Sequence, residues 1–104
     1  MSEKRTYAYV VKPPRLTFVE DASEAETATI SRHFAYCEDL IASGIGRLVG
    51  RTEGGEFGIV IFDAKGDSEA KEIADKDPAV SEGVFTAEVF PFRIALERVT
   101  ASVL

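Results

Sequence analysis

Residues 45–63 read Ile45-Gly46-Arg47-Leu48-Val49-Gly50-Arg51-Thr52-Glu53-Gly54-Gly55-Glu56-Phe57-Gly58-Ile59-Val60-Ile61-Phe62-Asp63. Two runs rich in β-branched and aromatic residues flank a Thr-Glu-Gly-Gly cluster, the pattern of two strands, Ile45–Arg51 and Glu56–Asp63, joined as a hairpin. In the second run Phe57, Ile59 and Ile61 point one way while Val60 and Phe62 point the other, so both faces of the sheet carry apolar side chains. The hairpin sits between two segments of helical character, and that placement decides the fold.

Upstream, Ser23 followed three residues later by Glu26 is a capping box, in which each side chain satisfies a backbone amide of the other. Ile30, Phe34, Cys37 and Ile41, with Leu40 on the flank, recur at helical spacing, and Gly44 offers a stop, so a helix is expected over about Glu24–Ser43. Before it, Thr6–Lys12 reads as a strand halted by Pro13-Pro14. Between them lies Arg15–Ala22, whose Leu16, Phe18 and Val19 are too apolar for an idle linker; this loop is expected to fold back over the domain. Downstream, Asp67 or Ser68 caps a second helix through about Lys76, which Pro78 prevents from continuing. Val84–Phe90 is the last strand, ended by Pro91, and the tail from Arg93 carries no clear pattern.

The order βαββαβ is that of a ferredoxin-like α+β domain, a four-stranded antiparallel sheet with two helices on one face. Two helices cover only one face, so the other is expected to meet a second copy of the chain in a homodimer.

Composition narrows the function. The 104 residues give room for one core, and a single domain is expected over 1–104 with its core at about 6–96. A 45% hydrophobic and 29% charged sequence with mean hydropathy near zero belongs to a folded globular chain. Twelve basic against eighteen acidic residues leave a net charge of -6, which repels a phosphate backbone and an anionic membrane alike. Neither nucleic acid nor membrane is therefore an expected partner. The start, Met1-Ser2-Glu3-Lys4-Arg5, has no apolar signal segment, so a cytoplasmic location is expected. Cys37 is the one cysteine, which excludes an internal disulfide and a thiolate-rich metal site; in a helical stripe it reads as a small core residue.

His33 is the one histidine. At 100° per residue it falls about 60° round the helix from Ile30, on the edge of the expected apolar stripe. Its plain reading is a hydrogen-bonded border residue; its chemical reading is a general acid or base at a pocket mouth, since imidazole titrates near neutral pH. Asp77-Pro78 follows the second helix, where a carboxylate either helps end the helix or turns back across the layer. An Asp bonded to one ring nitrogen of His33 would fix its tautomer and leave the other nitrogen for a substrate.

His33-Phe34-Ala35-Tyr36 before Leu40, Gly58-Ile59-Val60-Ile61-Phe62, Asp77-Pro78-Ala79-Val80, and Gly83 through Pro91-Phe92, in that order, resemble the YCII-related family from about Tyr7 to Leu96. The resemblance implies a dimeric α+β barrel and an active-site pair carried over to His33 and Asp77. Relatives in the wider group include small isomerases, lyases and oxygenases acting on cyclic and aromatic compounds. The chain departs from the family in two places. Many relatives have Gly-Pro where Gly50-Arg51 stands, and an aromatic residue where Ala79 follows Asp-Pro.

Arg15, in the covering loop, is the best candidate for binding an anion. Arg51 and Tyr36 are further ligand-binding candidates, with Arg47, Tyr7 and Tyr9 behind them. Tyr7 and Tyr9 project to one sheet face and are expected at the subunit boundary. No metal and no cofactor are expected, because a lone histidine lacks ligating partners and the glycines form no phosphate loop. The expected function is a cofactor-independent acid-base enzyme, of isomerase or lyase type, on a small cyclic or carbonyl compound. The alternatives are a non-catalytic small-molecule binding or dimeric interaction module, and a structural tie.

Overall fold

The computed structural model describes residues 4–98. Its elements are β1 (Arg5–Lys12), α1 (Phe18–Asp21), α2 (Glu24–Ala42), β2 (Gly46–Arg51), β3 (Gly58–Ala64), α3 (Asp67–Asp75), α4 (Pro78–Ser81) and β4 (Thr86–Pro91). All strand pairs are antiparallel and the sheet order is β2-β3-β1-β4, the ferredoxin-like arrangement. Residues 1–3 of the start and 99–104 of the tail lie outside the described residues. No helix among the described residues is long and apolar enough to cross a membrane.

Local chemistry sets the boundaries. At the start of α2, Ser23 Oγ accepts the Glu26 amide at 3.1 Å and Glu26 Oε1 accepts the Ser23 amide at 2.8 Å, the full capping box. Gly44, at φ +84, takes the left-handed conformation that turns the chain into β2. Pro91 is the last residue of β4 and pairs with Tyr7, tolerated there because β4 is an edge strand where a missing amide costs little.

The core lies between the sheet and the helices. Tyr7, Tyr9 and Val11 of β1 and Val60, Phe62 and Ala64 of β3 face α2 and α3 and are almost wholly buried. This corrects the placement of Tyr7 and Tyr9 at a subunit boundary. Strand periodicity puts both on one face, and the hydroxyls reach polar partners under the helices.

The loop after β1 does fold back. Phe18 of α1 is 7% exposed and meets the Phe85 ring edge-on at 5.6 Å. Val19 lies so close to Gly55, at φ +77 in the hairpin turn, that a Cβ there would collide with it. On the opposite sheet face Ala8 and Ile61 are buried, while Leu48, Phe90 and Phe92 remain 54%, 44% and 41% exposed.

Candidate functional site: a buried carboxylate holding the lone histidine

Three elements converge beneath the sheet. The turn from α3 to α4 supplies Asp77, α2 supplies His33 and Cys37, and β1 supplies Tyr9. Asp77 takes an extended backbone (φ -62, ψ 125), as a residue before proline does. Its side chain caps α4 through the Ala79 amide at 2.9 Å, with Pro78 in the first helical position. Pro78 therefore does more than end α3; it starts a further helical turn, and that turn aims the carboxylate inward.

Asp77 is 0% exposed, and both its oxygens are engaged. Oδ1 accepts the Ala79 amide, and Oδ2 accepts the Tyr9 hydroxyl at 2.7 Å. Nδ1 of His33 lies 2.7 Å from Oδ2 and 2.9 Å from Oδ1. Three polar groups thus replace the water lost by a buried carboxylate, which makes its burial tolerable.

His33 does not stand on the edge of the buried stripe. Thr29, Cys37 and Leu40 are the buried positions of α2, whereas Phe34 and Ile41 are 60% and 45% exposed. The buried face is thus centred roughly 67° round from Ile30, close to His33. Phe34 borders a cavity, and Ile41 lies against Gly46 at the start of β2.

Burial, the largest single influence on His33, disfavours the charged ring. The hydrogen bond to Asp77 and the Asp77 charge, with the Cys37 sulfur close by, outweigh it and lift the pKa to about 9. Burial, then the Asp77 charge, push the Tyr9 phenol well above its ordinary value. The same two causes raise Tyr36 to about 12.

His33 borders a cavity of about 410 Å3. Phe18 and Val19, Ile30 and Phe34, and Phe57 and Phe85 make its walls apolar, with His33 and Arg51 the ionisable groups among its lining. The Phe85 ring meets the imidazole edge-on at 5.6 Å. Nδ1 is taken by Asp77, and Nε2 has no oxygen or nitrogen partner among the described residues. The Cys37 sulfur lies 4.0 and 3.9 Å from Nδ1 and Nε2, beside the ring rather than in line with either nitrogen.

His33, Cys37 and Asp77 offer three donor types within 4.8 Å of one another. Two donors bound tetrahedrally to one zinc at about 2.0–2.2 Å stand roughly 3.4 Å apart. The 2.7 Å between Nδ1 and Oδ2 suits a shared proton instead.

The other expected site residues lie elsewhere, save one. Arg15 corrects the expectation of an anion site: Nε bonds Asp21 at 2.8 Å, and Nη1 and Nη2 bond Glu26 at 2.9 and 2.8 Å. Its charge is spent on holding the loop to α2. Tyr36 donates to the Ile73 carbonyl at 2.7 Å, tying α2 to α3, and does not reach the cavity. Arg51 does line the cavity, with Nη1 donating to the Thr52 and Glu53 carbonyls at 2.9 and 3.0 Å. Arg47 bonds Asp63. Tyr9 enters the site through a partner 68 positions away, a pairing for which the sequence carries no local signal.

A family model, the YCII-related domain, matches residues 12–93. The chain belongs to the YCII-related family. No curated protein matches this YCII-related chain. Among solved structures it is similar to the 5-chloro-2-hydroxyhydroquinone dehydrochlorinase of Burkholderia phenoliruptrix AC1100, in complex with 2,5-dihydroxybenzoquinone. The likeness has a TM-score of 0.61 at 18% identity and covers 84% of this chain and 93% of that one, which shows a shared fold. The departures from the YCII-related pattern fall around the site. Gly50-Arg51 forms part of the cavity wall, and Ala79 is wholly buried with its amide on Asp77.

Proposed function

We propose that this YCII-related protein is a cofactor-independent enzyme that moves a proton on a small cyclic or carbonyl compound held in the cavity beside His33. The observation that carries the reading is the division of labour within the imidazole. A fully buried carboxylate holds Nδ1, on a residue that borders an apolar cavity, so Nε2 is the nitrogen left to serve a substrate. Asp77 orients the ring and stabilises the imidazolium, the part a carboxylate plays beside a catalytic histidine. With a pKa of about 9, His33 rests protonated at neutral pH and acts first as an acid, delivering a proton to a substrate oxygen or carbon. Arg51 supplies a second positive charge on the wall, suited to an oxygen that becomes negative.

The dehydrochlorinase of similar fold supports hydroxylated cyclic compounds as the first probes. Cyclic ketones, lactones and hydroxylated aromatics are screened by ligand-detected NMR, and the binders are then tested for turnover. His33→Asn is expected to lower turnover by about a hundred- to ten-thousand-fold while binding persists. Binding without turnover that survives His33→Asn would make the chain a binding module with the same pocket, and turnover that survives it would remove His33 from the chemistry. The absence of any binder across the three classes would leave His33 and Asp77 as a tie between α2 and α4.

A further inference from the structure

Among all the polar side chains around the pair, Tyr9 stands in a distinct position. Its hydroxyl lies 2.7 Å from Oδ2 of Asp77, and Nδ1 of His33 lies 2.7 Å from the same atom. Tyr9 is 0% exposed, rises from the inner strand β1 and packs edge-on against Phe62 at 5.6 Å, so its ring is held in place. It does not line the cavity and cannot touch a bound molecule there. We propose that Tyr9 is a positioning residue that sets how strongly the His33–Asp77 pair holds its proton, by donating to the carboxylate oxygen that also receives His33.

The physical argument concerns one oxygen and two donors. Donation from Tyr9 draws charge from Oδ2 and stabilises the carboxylate whether or not His33 is protonated. When the imidazolium is present it already does much of that work; when the ring is neutral, the carboxylate depends more on Tyr9. The hydroxyl therefore favours the neutral ring and makes the pair a better proton donor than it would be alone. The Ala79 amide bonds Oδ1 and leaves this competition untouched.

The other groups that face the pair are few. Cys37 and Tyr36 approach from α2, and Arg51 stands on the cavity wall. The Arg32–Glu82 ion pair joins α2 to the end of α4 at the surface. None of these donates to Oδ2.

The inference rests on the proposed function only for its meaning in catalysis; its test does not. His33 is the one histidine, so its ring protons give a single titration curve by NMR in the intact protein. Tyr9→Phe is expected to raise the His33 midpoint by about one pH unit, the scale set by one hydrogen bond to a charged group. The same substitution in an Asp77→Asn background is expected to leave the midpoint where Asp77→Asn alone puts it. Should Tyr9→Phe fail to fold, 3-fluorotyrosine placed at position 9 gives a stronger donor and is expected to lower the midpoint. An unchanged midpoint in both Tyr9 variants, or an equal shift with and without Asp77, overturns the inference and leaves Tyr9 a packing residue. Because no ligand is involved, a Tyr9 effect without turnover counts only against the enzyme reading, and turnover without a Tyr9 effect counts only against this one.

Discussion

At the scale of the residue, the buried pair ties protonation to folding. A histidine in an unfolded chain titrates near 6.5, whereas His33 in the folded protein is raised to about 9. Because the folded value is the higher one, the pair's contribution to stability is complete below about pH 6.5 and is lost as pH rises through about 9, with an upper bound of about 3 kcal/mol. Urea unfolding of the wild type is therefore expected to show a midpoint that falls between pH 6.5 and pH 9. In His33→Gln that fall should largely disappear; an equal slope in both proteins would place the pH dependence elsewhere. The sequence pointed to His33 and Asp77 through their positions at the helix and after it, together with the family resemblance. It carries no sign of the bond from Tyr9 to Asp77, because a hydrogen bond across 68 positions depends on which face of β1 meets which turn.

At the scale of the element, short-range chemistry was readable and the direction of faces was not. The α2 capping box involves residues three apart, so its bonds follow from local geometry whatever the rest of the chain does. Apolar spacing puts Phe34 and Ile41 in the stripe, but the helix is turned so that Thr29, Cys37 and Leu40 face the sheet and those two lie on the flank. Pro78 read as a stop because a proline is both the end of one helix and a favoured first residue of the next. The loop between β1 and α2 gives the element-scale test. Arg15 holds it by bonding Asp21 within the loop and Glu26 in the first turn of α2. Arg15→Ala is expected to speed hydrogen exchange at the Phe18, Glu20, Asp21 and Ala22 amides, which bond within the loop, with β1 and β3 unchanged. Exchange that stays as slow as in the wild type would mean that Phe18 packing alone fixes the segment.

At the scale of the whole molecule, the sheet has one face under helices and one that leaves Leu48, Phe90 and Phe92 largely open to solvent. An apolar sheet face of this kind is a site for another surface, and we propose a homodimer with the two sheets face to face and the helices outside. Light scattering at micromolar concentration is expected to give twice the chain mass for the wild type. Leu48→Asp, which sets a charge into that face, is expected to give the single mass with the fold intact by circular dichroism. A wild type that scatters as a monomer would sink the proposal. The cavity lies between the loop after β1, α2 and the strand ends of one chain. On that arrangement each protomer of the proposed dimer is expected to carry its own site. Dimers assembled from wild-type and His33→Asn chains in any ratio should work in simple proportion to the wild-type fraction, without dominance of one half over the other.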